Sequence, residues 1–310
     1  MNGCSIFAGS ASTELAAAIA GELGVALSAR TVEHFPDGEV SVHLDESVRG
    51  HEVFIVQSTS PPVNDHLVEL LVFADACRRA AADRVTAVVP YFGYARSDKR
   101  QGLRRPITAS AVADWMRSAG IDHLLTVDVH TPQLEGFFRI PVDDLTAVPL
   151  LCDSLREEIA DDAVVVTPDL GGVRRATEYA ERLGLSVAVC HKHRVSGTEV
   201  KVTDITGDVR GRACVIVDDM ISTGGTIAEG VRALVAAGAR ADFTVAATHG
   251  VFVEGAYARL ADAGVRTVYV TDTIAIAGRE WPPLRIVSVA PLIAAALRRV
   301  IANGSLADLH

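Results

Sequence analysis

Hydrophobic positions in this chain fall into two alternating kinds of run. Short β-branched runs at 5–8, 53–57, 85–90, 124–129, 163–167, 186–190, 214–218, 243–248, 267–271 and 286–289 are mostly apolar, several of them throughout. Longer Ala-rich segments at 12–23, 64–82, 107–119, 148–160, 173–183, 226–237, 254–263 and 291–301 repeat their apolar residues at helical spacing. The first kind predicts strands, several of them buried on both faces. The second predicts helices with one apolar side. Their alternation predicts an α/β fold, with parallel sheets covered by helices.

The pattern also repeats on a larger scale. Ser5-Ile-Phe-Ala-Gly, followed by a helix ending Glu22-Leu-Gly, echoes Val165-Val-Thr-Pro-Asp, followed by a helix ending Arg182-Leu-Gly. Val53-Phe-Ile-Val-Gln-Ser-Thr-Ser echoes Val215-Ile-Val-Asp-Asp-Met-Ile-Ser. This predicts a duplicated domain with its boundary at 144–149, giving domains 1–146 and 147–310. The 310 residues are enough for two cores. In such folds ligands sit at the carboxyl ends of the strands.

Composition narrows the function classes. Hydrophobic residues make up 49 % and charged residues 22 %, ordinary for a globular chain. The net charge of −10 argues against a nucleic-acid partner, whose footprint would be basic. Cys4, Cys77, Cys152, Cys190 and Cys214 are odd in number and scattered. They read as thiols in a reducing compartment rather than a disulfide frame or a zinc site. No run is long enough to cross a bilayer, and no basic-then-apolar leader opens the chain, so a cytoplasmic protein with no membrane partner is expected.

The most specific element is Val215-Ile-Val-Asp-Asp-Met-Ile-Ser-Thr-Gly-Gly-Thr-Ile. A buried strand leads to Asp218 and Asp219, then Ser222, Thr223, Gly224, Gly225 and Thr226 open a helix. Glycines allow close approach to a ligand, and the helix amides and dipole attract an anion. Paired carboxylates would repel phosphate alone but suit sugar hydroxyls or a metal. The element therefore predicts a bound sugar phosphate. The first half, at Gln57-Ser-Thr-Ser-Pro-Pro, lacks both the paired aspartates and the glycines.

Other motifs carry further chemistry. His34-Phe-Pro-Asp-Gly-Glu-Val reads as a hairpin loop, with Phe35 free to stack on a base and Asp37 and Glu39 to accept from its amino group. Pro90-Tyr-Phe-Gly-Tyr-Ala-Arg-Ser-Asp-Lys-Arg sets Arg96, Ser97, Lys99 and Arg100 after a buried strand, as for a polyphosphate. Asp128-Val-His and Pro168-Asp-Leu-Gly-Gly offer His130 and Asp169 at strand ends, as metal ligands or as structural residues. Mg²⁺ needs few protein ligands when phosphates supply the rest. His191-Lys-His-Arg places Lys192 and Arg194 on one face of an extended segment, suited to charge on a transferred phosphoryl group.

In order and spacing these motifs, with Asp45-Glu-Ser-Val-Arg-Gly and Glu135-Gly-Phe-Phe, resemble the ribose-phosphate diphosphokinase (PRPP synthetase) family. The resemblance implies two tandem type I phosphoribosyltransferase-like domains, each a mainly parallel sheet flanked by helices. It implies a transfer of the β,γ-diphosphoryl group of ATP to the 1-hydroxyl of ribose 5-phosphate. Phe35, Asp37, Gly38, Glu39, Arg96 and Ser97 would bind ATP. Asp218, Asp219 and 222–226 would hold ribose 5-phosphate. His130 and Asp169 would serve Mg²⁺, and Lys192 and Arg194 catalysis. A homo-oligomer with sites near subunit contacts is also implied. The chain departs from the commoner bacterial pattern in a shorter catalytic loop, in Ser97 and in Ser222. A PRPP-consuming phosphoribosyltransferase and a non-catalytic regulatory relative remain as alternatives.

Overall fold

The computed structural model describes residues 3–100, 102–194, 200–276 and 280–309, with backbone alone for 192–194 and 200–203. The chain runs through β1 (Cys4–Ala8), α1 (Thr13–Leu23), β2 (Arg30–His34), β3 (Val40–Leu44), β4 (Glu52–Val56), α2 (Val63–Arg79), β5 (Arg84–Val89), α3 (Thr108–Ala119), β6 (His123–Val127) and β7 (Val142–Leu145). It continues through α4 (Val148–Leu155), β8 (Val164–Thr167), α5 (Val173–Leu183), β9 (Ser186–Arg194), β10 (Val200–Thr206), β11 (Cys214–Ile221), α6 (Gly225–Ala236), β12 (Phe243–Gly250), α7 (Ala256–Asp262), β13 (Val265–Thr271), β14 (Leu284–Val287) and α8 (Ala290–Ile301).

Two compact units result, one of residues 1–146, 273–275 and 288–310, the other of 147–272 and 276–287. The first holds a parallel sheet of order β1-β4-β5-β6-β7. The second holds β10-β9-β8-β11-β12-β13-β14, parallel except for the β9–β10 pair. The shared run is the same in both: β1, β4, β5, β6, β7 match β8, β11, β12, β13, β14 in order. The sheet repeats the duplication that the sequence echoes.

The sequence division at 146/147 differs from these units in the C-terminal segment. Helix α8 packs on α1, and the Arg298 guanidinium donates to the Glu22 carbonyl at the end of α1. Helix α4 likewise packs on α5 in the second unit. An apolar helix face fits any apolar sheet face, so periodicity alone does not assign it.

The cores follow from the apolar strands. Every residue of β12 is buried, as both-face burial requires. In the first unit Phe7 and Phe73 meet at 5.3 Å between ring centroids, and Phe54, Leu70 and Met116 are fully buried. In the second, Val166, Ile216, Val245 and Val268 pack with Leu234 and Leu260. Each such side chain contributes roughly 1.5–3 kcal/mol through burial.

Three of the departures from the expected bounds have a plain physical reason. α4 stops at Leu155, ahead of Glu157 and Glu158, whose charges oppose the helix dipole at a C-terminus. β9 continues to Arg194 because β10 pairs with it, Val202 with Lys192 and Val200 with Arg194. β11 continues to Ile221 because β12 pairs through His249 and Gly250.

Candidate functional site

The extended β11 places Asp218 and Asp219 inside the strand, near its carboxyl end, rather than beyond it. Asp219 is 4 % exposed. Its backbone N–H donates to Asp218 Oδ1 at 2.9 Å, which fixes the Asp218 carboxylate against the strand. Burial, then the charge of Asp219, holds the Asp218 carboxyl well above the ordinary carboxylate range; Asp169 adds to this and Arg175 opposes it. Arg175 Nη1 lies 3.8 Å from Asp219 Oδ1. Three carboxylates and one guanidinium thus share a small region at the carboxyl ends of β8 and β11, which are neighbours in the sheet.

The turn after β11 is held from behind. The Ile221 and Ser222 carbonyls accept from Phe252 and Val253 N–H at 2.9 and 3.1 Å. The Arg259 guanidinium donates to the Thr223 carbonyl. Gly224 has φ +73 and caps α6 with no side chain. A Cβ there would meet Leu260 Cγ at 3.2 Å and the Ala256 carbonyl at 3.3 Å, so glycine is required both by backbone and by space. Gly225 N–H donates to Thr223 Oγ1 at 3.2 Å. Ser222 is half-buried, and Thr223 and Thr226 are exposed with their hydroxyls available to a ligand. A helix start whose N-cap residue carries no side chain, in a loop of hydroxyls, is suited to an anion.

Asp169 follows β8 and precedes a 3₁₀ turn, Leu170–Gly172, that leads into α5. Its Oδ1 accepts Gly171 N–H at 3.0 Å and Gly172 N–H at 3.3 Å. It is a capping residue in the fold, and its carboxylate also faces the Asp218 pair electrostatically. No group of three or more His, Cys, Asp or Glu among the described residues forms a metal cage. A carboxylate with this company fits a hard cation only if phosphate and water complete the shell, which is Mg²⁺ behaviour.

In the first unit, Phe35 lies at the start of the turn joining β2 to β3 and is 45 % exposed. Phe35 N–H donates to the Glu39 carbonyl at 2.8 Å, Gly38 N–H to the Phe35 carbonyl at 2.9 Å, and Glu39 N–H to Asp37 Oδ1 at 3.2 Å. The loop is therefore a closed hairpin turn that presents an aromatic ring to solvent. Arg96 is exposed and Ser97 half-buried beyond β5, with Ser97 N–H donating to the Tyr94 carbonyl at 2.8 Å. His130 is exposed beyond β6. Thr131 Oγ1 donates to Asp98 Oδ2 at 3.0 Å, which brings the Arg96–Ser97 turn and the His130 loop together. The side chains of Lys192 and Arg194, and the loop 195–199 after them, lie outside the described residues; the backbone of both cations belongs to β9.

Arg175 escaped the sequence reading. Its signal is a cation in the first turn of a helix, where the dipole favours acids, and α5 has no acid there.

Residues 4–120 match the family model for the N-terminal domain of ribose phosphate pyrophosphokinase, and residues 142–274 the model for the phosphoribosyl transferase domain. The chain is 44 % identical over 310 residues to a ribose-phosphate pyrophosphokinase of Ralstonia nicotianae, covering 99 % of this chain and 98 % of that one. A Campylobacter jejuni protein of the same name is 43 % identical over 309 residues, with 100 % and 99 % covered. The fold is similar to the crystal structure of phosphoribosylpyrophosphate synthetase from Mycobacterium smegmatis, with a TM-score of 0.92, 45 % identity, and 98 % and 100 % covered.

Proposed function

The chain belongs to the ribose-phosphate pyrophosphokinase family, and from that premise we propose that it transfers the diphosphoryl group of ATP to the 1-hydroxyl of ribose 5-phosphate, giving PRPP and AMP. Its two units are type I phosphoribosyltransferase-like domains. The observation that carries the reading is the β11–α6 element, where the half-buried Asp218 and the buried Asp219 precede a helix start suited to an anion. A PRPP-consuming enzyme shares that element but has no use for a first unit matched by the pyrophosphokinase N-terminal model.

In this reading the 222–226 loop takes the 5-phosphate, and Asp218 and Asp219 accept from the sugar hydroxyls. Phe35 stacks on the adenine, Asp37 and Glu39 read its edge, and Gly38 shapes the turn. Arg96 and Ser97 meet the ATP phosphates. The sugar 1-hydroxyl oxygen attacks the β-phosphorus in line. The bond from that phosphorus to the oxygen bridging the α-phosphorus breaks, the oxygen leaves with AMP, and the hydroxyl proton passes to water. Lys192 and Arg194 neutralise the charge that builds on the transferred group. Asp169 and His130 would hold Mg²⁺ through phosphates and water, and its chemistry is charge neutralisation of the polyphosphate. The protein's work is placement and electrostatics, with no covalent intermediate.

Among the described residues no helix is long and apolar enough to cross a membrane. The cysteines are free thiols, which supports a reducing, cytoplasmic setting. We place the active form in a homo-oligomer with sites near subunit contacts, which light scattering measures directly. The test of activity is incubation with ATP, Mg²⁺ and ribose 5-phosphate. Equimolar AMP and PRPP is the expected result. Consumption of PRPP with a free base, or no turnover, rejects the assignment.

A further inference from the structure

Arg175 stands where a helix least welcomes a cation. It is in the first turn of α5, where the positive end of the dipole lies, and its side chain is only 18 % exposed. The cost of desolvating a guanidinium there has to be offset by anions. One anion in contact is Asp219, 6 % exposed at its side chain, with Nη1 to Oδ1 at 3.8 Å. Its charge also reaches Asp218 and opposes the effect of Asp169 there.

Without a cation at this place, the adjacent carboxylates of half-buried Asp218 and buried Asp219 would repel each other and Asp219 would have reason to swing away or take up a proton. Either change removes an acceptor from the sugar site. The strand alone cannot prevent it, because a carboxylate rotates about its side-chain bonds. A guanidinium anchored on a helix that packs against β8 and β11 can.

We propose that Arg175 is a positioning residue for sugar binding: it holds the Asp219 carboxylate in place as an acceptor for a ribose hydroxyl. The proposal rests on the assignment of the β11–α6 element to ribose 5-phosphate. It gives Arg175 no contact with ATP and no part in the charge of the transferred group.

The experiment is steady-state kinetics of the full-length chain and of Arg175→Met and Arg175→Lys, with ribose 5-phosphate and with 2-deoxyribose 5-phosphate as acceptors. Arg175→Met raises KM for ribose 5-phosphate by about tenfold or more, the scale of a displaced charged hydrogen-bond acceptor. KM for ATP and kcat stay within about twofold. Arg175→Lys restores most of the lost affinity. The preference of the wild-type chain for ribose over deoxyribose shrinks in Arg175→Met, which a merely structural residue would not cause. Unchanged KM for ribose 5-phosphate in Arg175→Met, or a loss carried by ATP or kcat, overturns the positioning role. A wild-type chain that forms no AMP from ribose 5-phosphate overturns the sugar assignment instead, so the two failures are told apart.

Discussion

Gly224 and Gly225 are adjacent in sequence but do different work, and replacing each by alanine separates the two. At Gly224 the backbone is left-handed, φ +73. An L side chain there costs about 1–2 kcal/mol before any contact is counted. The added methyl would also press on Leu260 Cγ at 3.2 Å and Leu260 Cδ2 at 3.4 Å, and on the Ala256 carbonyl at 3.3 Å. Leu260 is fully buried and the carbonyl is backbone, so neither retreats easily. Gly224→Ala therefore loses at least about 1–2 kcal/mol, which is a fall in Tm of about 2–8 °C for a unit of this size. At Gly225 the only close neighbour of an added methyl is Thr223 Oγ1 at 3.3 Å, a side-chain end that can shift. The position opens a helix, where alanine restricts the unfolded chain and stabilises by about 0.4–1 kcal/mol. Gly225→Ala therefore keeps or raises Tm. Its methyl nevertheless enters the turn that is to wrap a phosphate, and KM for ribose 5-phosphate rises about tenfold, equivalent to about 1.4 kcal/mol. Calorimetry and initial-rate AMP formation, measured on both variants, give the comparison. A Gly224→Ala protein that melts with the wild type refutes the steric argument. A Gly225→Ala protein with unchanged KM refutes the placement of the phosphate.

Other consequences are measurable in the same way. Lys192→Ala lowers kcat by about 10²–10³-fold with KM for both substrates little changed, because its charge is needed as the phosphoryl group moves; near-normal kcat rejects the role. Burial holds the pKa of His123 below its ordinary 6.5, despite the pull of Asp143 Oδ2 at 2.7 Å from Nε2. The folded state then binds fewer protons than the unfolded one, so this contribution is present above pH 6.5 and is lost as pH falls through the depressed folded value. Between pH 7.5 and 5 the fall in Tm is smaller in His123→Gln than in the wild type, and equal falls refute the linkage. Burial pushes the Cys77, Cys152 and Cys214 thiols up to about 12, so a disulfide reagent at neutral pH labels them only after unfolding. Rapid labelling of these positions in the native chain contradicts their burial.

What could be read in advance divides along physical lines. Strands buried on both faces announce themselves by composition, and β12, β5 and β6 follow their apolar runs. The loop after β11, proposed for the sugar, is legible because its carboxylates, hydroxyls and glycines are contiguous. Strands β2, β3 and β10 are not legible as apolar runs, since they are half-exposed or polar and owe their extended form to a hairpin partner. The place of α8 depends on which helix it meets, and its apolar stripe is silent on that. Arg175 and Asp219 come together only because β8 and β11 are neighbours in the sheet. No local pattern carries such a pairing.

The proposed function gives one chain a single sugar site, and the two copies of the fold differ in a way that suits this. In the second unit the turn after β11 opens on a glycine cap and exposed hydroxyls. In the first unit the loops at the equivalent sheet positions are filled by the protein itself. Gln57, fully buried after β4, accepts Ala11 N–H at 3.0 Å, and a Cβ on Gly9 would collide with its amide at 2.2 Å. Glu69, fully buried on α2, accepts Ser10 N–H at 2.8 Å and the Ser10 hydroxyl. A carboxamide and a carboxylate thus take the backbone donors after β1, the turn that matches the Asp169 turn after β8, and Gln57, Ser58, Thr59 and Ser60 after β4 are all buried where the turn after β11 exposes hydroxyls. In the proposed function what the first unit offers a ligand lies elsewhere, in the β2–β3 turn and the loops after β5 and β6. The β2–β3 hairpin occupies the same place in chain order as the β9–β10 hairpin with Lys192 and Arg194. Duplication thus supplied two hairpins and two loop sets, and the proposed function uses one of each differently: the first hairpin would offer an aromatic ring to a base, the second its cations to a phosphoryl group. Only a donor and an acceptor of that group need both.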